Sequence, residues 1–338
     1  MKAKARSPLL KTKIEEERSK IVDLYFSKVH GRKFEDKGGT HDGRRGHALE
    51  AMMGLTRNCR NQPDFVYFEL KIDTKSKTSY GDWSPSYWIF NDPSGGISRA
   101  KFMEIFGKYN EKKSRWSWSG KPVPKINVHN TFGQILEVDP DLSISIRYSY
   151  SKDQREDKAT IVPAHLCKDD LMLAKWDAQH LRCLVENKFN HGGWCKCKKD
   201  KNGVFNEIVF GDPFTYEQWV GWVKTGDVFF DSGMCQKSSR NYASWRAHNE
   251  HWDAFIKERH GKGTNGKIVV ETKMLWGGFG KIFTLARKWR GMLPIFRGAR
   301  GMVMERGMRT ERRVRWEKQG FFKEWDRLME ESRVTIHT

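Results

Sequence analysis

Pro63-Asp64-Phe65-Val66-Tyr67-Phe68-Glu69-Leu70-Lys71-Ile72 is the stretch on which the reading of this chain turns. Phe65, Val66, Tyr67, Phe68, Leu70 and Ile72 are strand formers, and their run predicts a β-strand. Side chains alternate across a strand, which puts Glu69 and Lys71 on one face and Phe68, Leu70 and Ile72 on the other. Asp64 stands just ahead of the strand, after Pro63. Upstream, residues 46–55 (Gly-His-Ala-Leu-Glu-Ala-Met-Met-Gly-Leu) read as a short helix that can carry Glu50 back towards the strand.

Acids and a lysine on otherwise apolar elements are costly for packing alone. They make sense around a divalent cation. Hard cations such as Mg2+ take oxygen ligands, keep several waters, polarise a phosphate oxygen and lower the pKa of a bound water. Lys71 would then orient or help deprotonate the attacking water and stabilise charge on the phosphate, which is the chemistry of phosphodiester hydrolysis. Glu-x-Lys by itself is common on solvated strand faces. Pro-Asp before it, and an acid on the preceding helix, make the set more specific.

The order Gly-x-x-Gly-x-x-Leu-Glu, ending at Glu50, then Asn, Pro-Asp-Phe and Glu-Leu-Lys, resembles the PD-(D/E)xK restriction endonucleases of the MvaI/BcnI type. These are relatives of the mismatch-repair nickase MutH. The resemblance is specific over residues 39–72 and diffuse from there to about Ile256. It implies an α/β fold with a mixed central β-sheet flanked by helices. It implies Glu50, Asp64, Glu69 and Lys71 as catalytic residues, with Asp64 and Glu69 as the main metal ligands and Glu50 placing the metal with them. The implied activity is that of a type II restriction endonuclease, a Mg2+-dependent hydrolase of double-stranded DNA in which Mn2+ can substitute. It further implies a monomer in a bacterial or phage-encoded system, with a cognate DNA methyltransferase as genetic rather than physical partner. Two alternatives stay open: a MutH-like nicking endonuclease working with repair partners, and a non-catalytic basic DNA-binding protein.

The composition agrees with a nucleic-acid partner. The chain has 338 residues and a net charge of +20, an excess of Lys and Arg that favours a polyanion. Fourteen tryptophans and twenty phenylalanines promise a well-packed fold, and six cysteines are too few for a disulfide scaffold. With no apolar run of transmembrane length and no signal peptide, the expected location is cytoplasmic. Nothing beyond charge suggests a membrane surface. Walker-type, metalloprotease and Gly-x-Ser-x-Gly motifs are absent from the sequence.

Taken in order, residues 1–13 are basic and expected to fray, and residues 14–29 have the spacing of an amphipathic helix. Residues 30–46 are expected to be a glycine-rich loop, and 73–84 a polar hairpin tip. A strand is expected at 87–90 and a helix at 98–109. Residues 110–125 read as a loop interleaving basic residues with two tryptophans, and Lys112, Lys113 and Arg115 are candidates for phosphate contact. Period-two alternation over 134–150 predicts a β-hairpin. Apolar spacing predicts a helix over 168–187. Cys195-Lys196-Cys197, with His191 nearby, is a weak match to a zinc site in a Lys-rich turn. The turn at 198–203 closes onto a strand at 204–210, followed by a helix at 214–223 and a strand at 228–233.

Arg240, Asn241, Arg246 and His248 lie close together after that strand. Arg suits guanine and Asn suits adenine in the major groove, and the segment resembles the family's recognition region. The expected organisation is a catalytic and DNA-recognition region over 1–260, with recognition spread over about 110–250. A basic extension over 261–338 is a possible DNA clamp. Residues 257–267 read as a linker. Glu271 and Lys273 form a second Glu-x-Lys, expected to be a structural edge strand. Residues 287–315 hold ten Lys or Arg against two Glu, and 316–331 look helical.

Overall fold

The first helix starts earlier than its apolar spacing alone suggests. Ser7 caps it, its hydroxyl accepting from Leu10 N, and Pro8 takes the first position, where a missing N–H costs nothing. Residues 8–13 are therefore helical rather than frayed. The computed structural model describes residues 7–34, 44–56, 61–231, 234–239, 241, 243–262 and 268–272. The chain divides into Met1–Thr272 and Lys273–Thr338, and every described residue lies in the first unit. The basic segment 287–315 and the helix expected at 316–331 lie outside the described residues.

In chain order the elements are α1 (Pro8–Lys28), α2 (Arg44–Met53), β1 (Phe68–Ile72), β2 (Lys77–Asp82), β3 (Tyr87–Trp88), α3 (Arg99–Phe106), β4 (Lys108–Asn110) and β5 (Arg115–Trp118). Then come β6 (Phe132–Val138), β7 (Ile144–Asp153), α4 (Lys158–Ile161), β8 (Leu171–Trp176), α5 (Ala178–Phe189), β9 (Gly193–Lys199) and β10 (Phe205–Gly211). The last are α6 (Tyr216–Thr225), β11 (Val228–Asp231), β12 (Met234–Cys235), β13 (Ser244–His248), α7 (Asn249–Ala254), β14 (Ile256–Lys262) and β15 (Ile268–Thr272).

The main sheet is mixed, in the order β1-β9-β10-β14-β15. β1 runs parallel to β9 and the remaining pairs are antiparallel. Smaller sheets are β11-β13-β2, β12-β5-β4 and β3-β8-β7-β6. Strand alternation sorts the main sheet between two cores. Phe68, Leu70, Cys195, Cys197, Ile208 and Phe210 face α1 and α2, which supply Ile14, Ile21, Tyr25, Leu49 and Met53. Trp194 and Val209 face a tryptophan-rich core with Leu181, Val185 and Phe189 of α5. The α/β fold with a mixed sheet flanked by helices is therefore as expected.

Several local expectations are corrected. Residues 77–82 are a strand rather than a polar tip: β2 pairs with β13, and Thr78 and Tyr80 are buried. The helix expected over 168–187 is β8 followed by α5. Leu171, Leu173 and Trp176 fit a helical spacing, but pairing of β8 with both β7 and β3 wins, and Asp177 is extended where the helix begins. Part of the loop expected at 110–125 is β5, and part of the linker expected at 257–267 is β14. Cys195 and Cys197 lie in a strand, not a turn. Both are fully buried, and burial pushes both thiols up. Among the described residues no helix is long and apolar enough to cross a membrane.

Candidate active site

β1 is an edge strand of the main sheet, so its outer edge must find hydrogen-bond partners elsewhere. Asp64 supplies one: its Oδ2 accepts from Leu70 N at 2.9 Å. The segment between them is held from α1, where the Glu17 carboxylate accepts from Val66 N at 2.8 Å and Tyr67 N at 2.7 Å. Burial raises the Glu17 carboxyl, against the pull of these two N–H groups. On the inner edge Gly192 N donates to Tyr67 O at 2.7 Å. A side chain at Gly192 would meet that carbonyl and the Phe68 ring at 2.8 Å, so only glycine allows β9 to start this close to β1.

The turn at 190–192 also sets the last turn of α5 over β1. Glu69 is 3% exposed, and its Oε1 accepts from Lys71 Nζ at 2.9 Å and from Lys188 Nζ of α5 at 3.0 Å. Lys71 Nζ lies 5.6 Å from the Phe189 ring centroid. The other Glu69 oxygen, Oε2, is buried and accepts no hydrogen bond among the described residues. Burial pushes the Glu69 carboxyl up, but Lys71 and Lys188 outweigh it and hold it below its usual value. Burial, and then the Glu69 charge, push Asp64 up to about 7, although Lys71, Lys188 and the Leu70 N–H oppose them. Burial lowers Lys71, with Lys188 adding to the effect while Glu69 opposes it. Lys188 is held above its usual value by Glu69 and Asp64 in spite of burial. Two neighbouring carboxyl groups are thus driven to opposite protonation behaviour, a pattern characteristic of reactive sites.

Asp64, Glu69 and Lys71 come together as their spacing implies. Glu50 rides on α2, whose Leu49 and Met53 pack into the core beneath Phe68 and Leu70. It is not gathered with Asp64 and Glu69 into a group of three carboxylates among the described residues. Lys188 escaped the sequence reading. A lysine in the last turn of a helix is ordinary, and nothing local marks it as the partner of Glu69. Glu17 escaped for the same reason. Of the second Glu-x-Lys, Glu271 falls on β15, at the far edge of the same sheet, opposite Arg259. Lys273 lies outside the described residues.

Of the candidate DNA-reading residues, Arg246 and His248 sit on a strand. Arg246 is on β13, with Phe229 opposite on β11 and Ser79 opposite on β2. Its Nε lies 3.4 Å from Asp231 Oδ2, the oxygen that also pairs with Lys77. His248, exposed at the end of β13, lies with its ring 5.1 Å from Phe229. One face of this sheet therefore presents Lys77, Ser79, Asp231, Arg246 and His248, while Tyr80, Phe230, Trp245 and Ala247 on the other face enter the core. Asn241 Oδ1 accepts from Arg99 Nε at 2.6 Å. Arg240 lies outside the described residues. Lys112 and Lys113 are exposed in the turn between β4 and β5, and Arg115 is half-buried on β5. Because β5 also pairs with β12, the hairpin carrying these three residues borders the segment that leads to Asn241.

A family model described as LlaMI restriction endonuclease matches residues 32–260. The chain is 39% identical over 266 residues to the type II restriction enzyme ScrFI of Lactococcus lactis subsp. cremoris, covering 72% of this chain and 98% of that protein. Among solved structures it is similar to the restriction endonuclease MvaI in complex with cognate DNA substrate. That match has a TM-score of 0.45 and 14% identity, over 78% of this chain and 99% of that one. MvaI without DNA gives a TM-score of 0.35 at the same identity, over 79% and 99%.

Proposed function

The chain belongs to the LlaMI restriction endonuclease family, and on that premise we propose that it hydrolyses double-stranded DNA at specific sites as a type II enzyme, through Asp64, Glu69, Lys71 and Lys188. The observation that carries this assignment is the buried Glu69 carboxylate, with one oxygen taken by two lysines and the other left without a hydrogen bond from any described residue. Restriction endonucleases of this kind generally use a divalent metal, and the proposed ion is Mg2+, with Mn2+ able to replace it. Asp64 and the free Glu69 Oε2 fit such an ion, because Mg2+ is commonly held by one or two carboxylates and completes its shell with water and substrate phosphate. Glu50 is proposed as a further acid acting from α2. When bound, the ion supplies charge stabilisation at the phosphate and lowers the pKa of water.

The residues of the chain do the rest. Lys188 and Lys71 keep Glu69 ionised inside the fold. Lys71 Nζ, fixed by Glu69 on the strand, orients the attacking water and offers a donor to the phosphate. Asp64 caps the strand edge and presents its remaining oxygen beside Glu69. The polar face carrying Arg246 and His248 reads base edges, and Arg240 and Asn241 are proposed as further base-reading residues. Lys112, Lys113 and Arg115 grip phosphates. β2 of that reading sheet follows β1 after only four residues, 73–76, so reading and cutting surfaces are covalently adjacent. We place the catalytic and recognition region at 1–260, with the end of β14 and β15 completing its sheet, and assign the rest of the basic extension over 261–338 to clamping the DNA backbone. The enzyme is proposed to act as a cytoplasmic monomer, paired genetically with a DNA methyltransferase of the same specificity. The fold is proposed to be that of the PD-(D/E)xK nucleases, with kinship to MutH.

Incubation of the purified protein with unmethylated plasmid or phage DNA, with Mg2+ or with EDTA, tests it. Discrete fragments that need Mg2+ are expected, and sequencing their ends gives the site. Nicked circles alone would indicate a MutH-like nickase. Binding without any cleavage of several unmethylated DNAs would leave only a DNA-binding protein.

A further inference from the structure

Asn249 follows His248, the last residue of β13, and opens α7. Its Nδ2 donates to the Thr74 carbonyl at 2.8 Å, and its main-chain N–H donates to the Ser76 carbonyl at 3.0 Å. Its Oδ1 accepts from Thr78 Oγ1 at 3.0 Å and from Lys196 Nζ at 3.2 Å. Thr74 and Ser76 lie in the connection between β1 and β2, and Thr78 lies on β2. Lys196 stands opposite Lys71 in the β1–β9 register, and its side chain is fully buried. One side chain thus ties the end of the reading strand to the exit of the catalytic strand and to the strand beside it.

The chemistry suits an amide. One end must donate to a carbonyl while the other accepts from an ammonium and a hydroxyl, and a neutral amide does both. An aspartate would turn a carboxylate oxygen towards the Thr74 carbonyl. An alanine would strip an amide acceptor from Lys196, whose carboxylate partners, Asp73 and Asp253, stand 3.7 Å away.

We propose that Asn249 is a positioning residue that couples occupation of the Arg246–His248 surface by the correct base sequence to the placement of Lys71, so that site discrimination is expressed at the cleavage step. The proposal rests on the preceding assignment of Arg246 as a base-reading residue. A shift of β13 on DNA passes through a continuous set of hydrogen bonds to both ends of the β1–β2 connection and to Lys196. That set is the kind of physical link through which two sites bias each other.

The test uses the full chain under single-turnover conditions with Mg2+, on a cognate duplex and on a duplex with one base pair of the site changed. Affinity for both is measured in EDTA. Asn249→Ala is expected to lower the cognate cleavage rate by roughly tenfold, within the range seen for coupling residues, and to change the altered-site rate by less than about twofold. Cognate affinity should stay within about threefold of wild type, because no base contact is removed. An equal fall on both duplexes, or a loss of affinity that accounts for the fall, overturns the proposal. Asn249→Asp is nearly isosteric, keeps the acceptor for Thr78 and Lys196 and replaces the donation to Thr74 by a repulsion, so it carries the same comparison if the alanine variant does not fold. Arg246→Ala runs alongside. If it leaves base discrimination in binding intact, the reading surface is wrongly assigned and the coupling falls with it. If it relaxes discrimination while both Asn249 variants keep the wild-type ratio of rates, the coupling alone is wrong.

Discussion

Lys188 and Lys71 donate to the same atom, Oε1 of Glu69, one from the end of α5 and one from β1 itself. A buried carboxylate with two ammonium partners stays ionised, and removal of either partner leaves charge stranded in the fold. Lys188→Ala should therefore raise the Mg2+ concentration needed for half-maximal cleavage and lower the rate by roughly 10–100-fold, as loss of a supporting partner at a metal site does. Lys71→Ala should abolish cleavage while DNA binding in EDTA stays largely intact. Initial rates over a Mg2+ series, with gel-shift binding, check both. A Lys188→Ala enzyme with a wild-type Mg2+ curve would reduce Lys188 to a surface counter-ion.

Arg246→Ala should cost roughly 1–3 kcal/mol of discrimination between the cognate site and a site altered at one base pair, the value of one bidentate base contact. Competition binding against a panel of single-base variants measures it. An equal loss of affinity across the whole panel would make Arg246 a phosphate contact.

Glu17 holds two backbone N–H groups of the segment between Asp64 and β1. Glu17→Ala should cost about 1–3 kcal/mol of stability from bonds to a charged acceptor. It should also raise the half-saturating Mg2+ concentration by releasing Asp64. Glu17→Gln keeps an acceptor and should restore part of the Mg2+ response. Thermal unfolding and Mg2+ titration separate the two effects, and a lower melting temperature with an unchanged Mg2+ curve would confine Glu17 to stability.

Asp153, at the end of β7, should make the β6–β7 hairpin sensitive to acid. Its side chain is fully buried, Arg155 pairs with it at 2.6 Å, and Tyr148 donates to it at 2.9 Å. Burial pushes this carboxyl up, but the Arg155 bonds and Tyr148 outweigh it and hold it below the usual 3.8. The folded state therefore binds fewer protons than the unfolded chain near that value. The stabilisation is fully present above it and is lost as pH falls through the lower folded value. Asp153→Asn should lower stability at pH 7 by about 3–5 kcal/mol, the cost of breaking a buried pair, and flatten the acid limb of stability as pH falls below the ordinary carboxylate value. Denaturant unfolding across that range checks it, and parallel wild-type and variant curves would reject it.

Where sequence reading succeeded, the information was local. Phe68, Leu70 and Ile72 alternate with Glu69 and Lys71, and that alternation alone separates the core face from the reactive face. The hairpin of β6 and β7 is visible in the same way. Reading failed where two periods fit one stretch. Leu171, Leu173 and Trp176 suit a helix or a strand, and only pairing with β7 and β3 decides. It also failed at Lys77–Asp82, where polar residues disguise a strand with Thr78 and Tyr80 buried.

By itself the sequence determined the strand with its Glu69–Lys71 face, the acid ahead of it, the basic charge and the restriction-enzyme kinship. Each of these is a matter of residue type and short-range spacing, which an unfolded chain already carries. Only the tertiary structure decided that Lys188 completes the Glu69 site, that Glu17 holds the segment behind Asp64, and that Asn249 joins the end of β13 to the exit of β1. Each is a hydrogen-bonding group whose partner is remote in sequence. Such partners leave no periodic trace, because burial obliges a polar group to be satisfied without specifying from where along the chain.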